Sequence, residues 1–236
     1  MKDKLMKCLF SLLAIFTLFA CSVDAAPVTL TDEYAADKAR LSWVVQGTDG
    51  RMYNLYIIGE NEKFMGGRNA IWKYSDNDQA FGTWSGYHAY ISMPGEINTI
   101  LQSANLFGDS ARNDGYFVVN LTNPSWQGGA FIIKGVNGQP DILVTAKQMH
   151  ASFVDYRFFV IKNGILRPMK FVDKRQQTTI EITGDHDLPY AVDDGTLAVP
   201  WFYRGKGTYV SVYMPDFENL MFISAYTYKD KGVGEF

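Results

Sequence analysis

The chain has 236 residues, 47% of them hydrophobic and 15% aromatic, with a formal charge of −3 at neutral pH. Its lysines and arginines are spread along the sequence without a basic block, which excludes the clustered cations that nucleic acids or an anionic membrane face require. Its two cysteines, Cys8 and Cys21, both lie near the N-terminus, so the folded part relies on a hydrophobic core rather than on an internal disulfide.

In chain order, Lys2, Lys4 and Lys7 come first, followed by the twelve-residue apolar run Leu9 to Ala20. A basic start, a short apolar stretch and small residues after it have the form of an export signal. The run is shorter than the roughly 20 apolar residues a spanning helix needs. Two cuts compete. Val23-Asp24-Ala25 before Ala26 suits a signal peptidase. Leu18-Phe19-Ala20-Cys21 resembles a bacterial lipobox, which would make Cys21 a lipid-bearing first residue, but it departs from that pattern at Phe19. The Ala25/Ala26 cut is favoured, and either cut places the folded part outside the cytoplasm. The expected division is an export signal over 1–25, a short tether and helix over 26–40, and one β-rich domain over 41–236.

Asp32 to Arg40 reads as a short helix, with Thr31 as N-cap and acids in its first turn. Beyond it, β-branched and aromatic residues come in short runs broken by Gly, Asn, Asp or Pro, the texture of strands. The runs are Ser42 to Gln46, Met52 to Gly59, Ile71 to Ser75, Tyr87 to Met93, Tyr116 to Leu121, Ala130 to Lys134 and Asp141 to Lys147. They continue through Tyr156 to Ile161, Ile165 to Val172, Thr178 to Thr183, Thr196 to Trp201, Tyr209 to Tyr213 and Leu220 to Tyr228. Asn163-Gly164 between two of them is the clearest hairpin turn, since both central residues of a type I′ turn need positive φ. Ile97, Ile100, Leu101 and Ala104 sit at helical spacing behind Pro94-Gly95 and predict a second short helix. The fold class is therefore all-β and antiparallel, with one or two short helices.

Residues 135 to 171 combine a turn, the Pro140-Asp141 pair with the apolar strand Asp141 to Val144, the strand Tyr156 to Ile161 and the Asn163-Gly164 hairpin. This segment resembles one blade-like unit of FG-GAP or VCBS-type β-propeller proteins. Weaker echoes occur at 48–59 and 193–203. The resemblance implies a small propeller of four or five blades. The calcium loop typical of that family is absent and no fixed repeat period runs through the chain. A β-sandwich or an irregular barrel fits the same strands.

Signatures of catalysis are missing. There is no G-x-S-x-G elbow; Ser85 in Gly82 to Gly86 has the wrong spacing and reads as a turn residue. No H-E-x-x-H or phosphate-binding glycine motif occurs, and Gly66-Gly67 and Gly128-Gly129 are isolated pairs. The best metal candidate is Asp185, His186 and Asp187, two carboxylates flanking an imidazole, for which calcium is the one cofactor considered. The competing reading is a solvated loop with local turn bonds. Asp76-Asn77-Asp78 lacks the glycine and distal Glu of a calcium loop and reads as an Asx-type turn. What remains is aromatic. Trp84, Tyr87, Trp126, Trp201 and Tyr203 stand beside loop residues. Exposed rings stack on sugars or anchor protein partners, although aromatics also fill β cores. The expected function is an exported bacterial cell-envelope module that binds a protein or glycan through loops, without chemistry, cofactor or nucleic acid. Membrane attachment follows only if Cys21 is lipidated, and the oligomeric state is open. The alternative is a small extracytoplasmic hydrolase acting on polysaccharide with two facing carboxylates.

Overall fold

The computed structural model describes residues 27–65, 79–83, 85–108, 117–121, 128–150, 153–184, 187–203 and 205–230. In chain order its elements begin with β1 (Thr29–Thr31), α1 (Asp32–Lys38), β2 (Leu41–Gln46), β3 (Met52–Gly59), β4 (Lys63–Phe64), β5 (Ala80–Thr83), β6 (Tyr87–Ser92), β7 (Asn98–Leu101), β8 (Phe117–Asn120) and β9 (Gly129–Ile133). Then follow β10 (Ile142–His150), β11 (Phe153–Lys162), β12 (Ile165–Pro168), β13 (Lys170–Val172), β14 (Thr178–Thr179), β15 (Ile182–Gly184), β16 (Tyr190–Ala191), β17 (Leu197–Tyr203), β18 (Gly207–Asp216) and β19 (Met221–Lys229). The all-β expectation holds. The strands form four open sheets with the orders β1-β7-β6-β3-β2, β12-β11-β10-β9 with β15 also on β11, β14-β13-β19-β18-β17-β16, and β4-β5-β8. All pairings are antiparallel except β13 with β19.

The packing follows from the alternation of side chains along β11. Val154, Tyr156, Phe158 and Val160 face the six-stranded sheet, where they meet Phe171, Leu197, Val199 and Phe222. Phe159 and Ile161 face the other way, toward Leu55, Ile57, Ala89 and Ile91 of the first sheet and Val119 of the small one. The sheet built on β10 and β11 is therefore buried on both faces. That is why Phe158-Phe159-Val160-Ile161 is apolar without interruption, the signature of a strand covered on both sides. Phe158 makes edge-to-face contacts with Phe171 at 5.2 Å and Phe222 at 5.5 Å.

Polar contacts pin the layers to each other. The Asp141 carboxylate, largely buried, accepts hydrogen bonds from the N–H of Gln46 at 2.9 Å and of Gly135 at 3.0 Å, and pairs with Lys134 at 2.8 Å. Buried Gln102 accepts from the Leu166 N–H at 3.0 Å and so joins β7 to β12. The Thr48 N–H donates to the Ile161 carbonyl at 2.8 Å. Two stretches read as single strands instead change sheets. Ile165 to Val172 passes from the central sheet to the six-stranded one at Met169, which is fully buried. Thr178 to Thr183 divides into β14 and β15 on those same two sheets. Strands that switch sheets make the corners of stacked β layers.

The α1 helix has the expected cap: the Tyr34 N–H donates to Thr31 Oγ1 at 3.3 Å. Seven residues do not hold a helix alone. This one docks Ala35 on Tyr56 and Tyr90 of the first sheet, and its Asp32 accepts from the Tyr56 hydroxyl at 3.0 Å and Ser92 Oγ at 2.7 Å. The Asn163-Gly164 turn also forms as expected, with φ of 53° and 74°. Two further expectations change. Thr29–Thr31, assigned to the tether, is an edge strand paired with β7. Ile97 to Ala104 is not a helix: Asn98–Leu101 is strand β7, held by β1 and β6. Its burial alternates with period two, Thr99 inside and Ile100 outside, and Ile97 is 79% exposed, so the helical spacing of its apolar residues is coincidental. The run Ile71 to Ser75 and the Asp76 to Asp78 turn lie outside the described residues.

Two outcomes follow. Phe158→Ala removes the ring at the centre of the doubly covered sheet, and urea unfolding will show a loss of about 3–5 kcal/mol, whereas Ile97→Ala stays within about 0.5 kcal/mol. Burial first, and then the bond to Asp32, push the Tyr56 hydroxyl from its ordinary value near 10 up to about 12. Below pH 10 that contribution to stability is complete. Between pH 10 and about 12 the unfolded chain ionises first, so stability falls as pH rises. Burial pushes Tyr53 and Tyr90 the same way, so the diagnostic is the difference in slope between the natural chain and Tyr56→Phe, which should be shallower.

Candidate functional site

The six-stranded sheet outruns the layer that covers it. Along one face of β17, Leu197 and Val199 pack on the central sheet, and Val199 is 1% exposed. Trp201 and Tyr203 continue the same face at the period-two spacing of a strand. Exposure climbs to 47% at Tyr203. The pairing of β17 with β18 sets Ser211 opposite Val199, Tyr209 opposite Trp201 and Gly207 opposite Tyr203. Trp201 and Tyr209 stack at 5.0 Å, 24° from parallel, and Tyr203 meets Trp201 edge-on at 6.2 Å. Gly207 offers no side chain, and the Lys229 side chain lies over that flank, its Cε 3.4 Å from where a Cβ would sit. Gly205 and Gly207 take the left-handed φ of 79° and 94° that the tight connection demands. Lys206 then lies 4.6 Å from the Tyr203 ring centroid, within range of a cation–π contact.

Polar atoms orient this cluster. Trp201 Nε1 donates to Ser211 Oγ at 3.1 Å, and Ser211 Oγ lies 3.2 Å from Thr227 Oγ1 on β19. The row of three strands thus fixes the indole. On the reverse face, Tyr226 and Tyr228 of β19 are 53% and 43% exposed, with ring centroids 6.2 Å apart. A hydrogen bond with Tyr190, then partial burial, push the Tyr228 hydroxyl above its ordinary value. The end of the sheet formed by β17, β18 and β19 is therefore aromatic on both faces. Rings, hydroxyls and one lysine suit recognition; they supply no nucleophile–base pair.

A concave feature lies elsewhere, between the first and central sheets: a cleft of about 750 Å³ lined by Asp49, Arg51, Tyr53, Met93, Glu96 and Ile165 among others. Both of its carboxylates already serve the fold. Asp49 accepts from the Tyr53 hydroxyl at 2.7 Å and the Arg51 N–H at 3.1 Å, and Glu96 accepts from the Met93 N–H at 2.8 Å. The Tyr53 bond holds the Asp49 carboxyl below its usual range, the opposite of what a general acid needs.

Of the residues singled out from sequence, Trp201 and Tyr203 come together. Tyr87 leaves the candidate set: it is 4% exposed, packs on Phe107 at 5.9 Å and donates its hydroxyl to the Phe81 carbonyl at 3.1 Å. Alternation in β6 turns it inward with Ala89 and Ile91. Trp84, Trp126, Asp185, His186 and Cys21 lie outside the described residues. Asp187 is exposed. Among the described residues no three His, Cys, Asp or Glu side chains gather as metal ligands. Sequence reading missed Tyr209, Lys206, Tyr226 and Tyr228. The spacing Tyr226-Thr227-Tyr228 in a strand was the available signal, since it sets two rings on one face. No protein-family model matches the chain, and searches of curated proteins and of solved structures gave no match.

The division between core and surface rings has a measurable consequence. In urea melts Tyr87→Ala should cost about 3 kcal/mol or more, and Tyr203→Ala should change stability by less than about 1 kcal/mol.

Proposed function

We propose that this protein is a non-catalytic binding module of the bacterial cell envelope, exported by its N-terminal signal, that recognises a protein or glycan with the aromatic end of its six-stranded sheet. The observation that carries this reading is the Trp201, Tyr203 and Tyr209 cluster at the point where the sheet leaves its cover. Rigid rings on paired strands lose little conformational entropy when a partner stacks on them, and Lys206 beside Tyr203 adds a charge for orientation. The face-to-face succession of antiparallel sheets supports a blade-like reading of the scaffold, in keeping with the resemblance to FG-GAP and VCBS-type units. The hydrolase alternative has one observation in its favour, the two carboxylates in the cleft; the anchoring of Asp49 below the usual carboxylate range weighs against it as the acid.

The test is co-sedimentation with insoluble bacterial envelope, with free protein measured at equilibrium. The Trp201→Ala/Tyr203→Ala double variant should bind at least about tenfold more weakly, which is 1.4 kcal/mol. Its circular dichroism should match that of the natural chain. Protease treatment of the envelope abolishes binding if the partner is protein and spares it if the partner is glycan. Equal binding by both chains would overturn the assignment of the site.

A further inference from the structure

The β19 strand has two edges, and they differ. One pairs with β18, with a bulge at Ala225 between the Val212–Tyr226 and Tyr213–Ser224 pairs. The other pairs with β13 only from Met221 to Ile223. From Ala225 to Lys229 that second edge meets no strand among the described residues. Asp230 N–H donates to the Thr208 carbonyl at 2.9 Å. In an antiparallel ladder such bonds alternate, so the N–H and C=O of Tyr228 also face β18, and those of Thr227 face away from it. Among the described residues, the open edge thus offers the Thr227 N–H and C=O to no other strand. Its residues, Ala-Tyr-Thr-Tyr-Lys, strongly favour strand structure. Natural proteins seldom leave such an edge bare.

We propose that this edge pairs with the same edge of a second copy of the chain, antiparallel and centred on Thr227. The sequence is self-complementary in that register. Thr227 opposes Thr227 and exchanges two backbone hydrogen bonds with it. Tyr226 opposes Tyr228 of the other copy at both ends, which gathers four half-exposed rings on one face. Aromatic pairs and Thr–Thr pairs are favourable cross-strand neighbours. Lys229 opposes Ala225, so no like charges meet directly. A shift of one residue would break each of these matches.

The interface is small. Five residues of edge and two tyrosines a side cover less than the roughly 800 Å² per partner of a standard interface, the size of a weak, transient contact. Local concentration at a cell envelope would favour it. The pairing does not rest on the binding reading, although Thr227 Oγ1 also meets Ser211 beside Trp201. It has a consequence for that reading. Directly opposed residues share a face, so the two Trp201 clusters would stand on one side of a continuous sheet. With five strand spacings between β17 and its counterpart, they lie roughly 24 Å apart across the strands. A repetitive partner could engage both, with avidity.

Sedimentation equilibrium of protein purified from expression of the full chain, from about 5 μM to 1 mM, tests this. The natural chain should pass from monomer to dimer across that range. Thr227→Lys sets like charges face to face, and Thr227→Pro removes the donated N–H where an edge strand tolerates proline; both should raise the dissociation constant at least tenfold. Amide exchange gives a second measurement that needs no variant: Thr227 should be protected at high concentration and exchange faster on dilution. A protein monomeric up to 1 mM, or a dimer that both substitutions leave intact, overturns the proposal.

Discussion

The burial of β11 on both faces is the constraint from which the rest of the structure follows. From Phe158 to Ile161 its odd and even side chains are both apolar, and such a stretch cannot sit at a surface. It needs a sheet on each side, and Phe158 and Phe159 point into two different cores. Each neighbouring sheet must then present one apolar face inward. The first sheet does so with Leu55, Ile57, Ala89 and Ile91, and the six-stranded sheet with Leu197, Val199 and Phe222. The hydrogen bonds of Asp141, Gln102 and Thr48 fix where the layers meet but add little burial of their own. They act as registration marks on a stack that apolar area holds together.

The candidate site arises where burial fades along one strand. β17 is buried from Leu197 to Pro200 and opens to solvent from Trp201 to Tyr203. The same face that is core at Val199 becomes surface at Tyr203. An apolar surface of this kind is unfavourable unless something binds it. Polar placement shows that it is ordered: Trp201 is held by Ser211, and Ser211 by Thr227. A preformed aromatic cluster of this sort binds without first paying an ordering cost.

Much of the fold was legible in the sequence, and the gaps have physical causes. Strand texture, the Asn163-Gly164 turn and the Thr31 cap rest on local chemistry, and local chemistry can be read. The sheet switches at Met169 and between β14 and β15 depend on what lies across the core, which no local pattern encodes. Ile97 to Ala104 misled because four apolar residues, in a strand and on either side of it, fell at helical spacing by accident. For the site, Trp201 and Tyr203 were visible as loop-flanking aromatics, but Tyr87 looked the same. Only the register of β6 turns it inward. Tyr209 and Lys206 enter through cross-strand pairing, and the cleft at Asp49 joins turns distant in sequence.

The central claim is that recognition happens at the free aromatic end and not in the cleft. Hydrogen exchange of the protein bound to envelope, set against the free protein, tests this most directly. New protection is expected over residues 199–211, with none over 49–53 and 91–103. Protection confined to the cleft segments, with 199–211 unchanged, would contradict it.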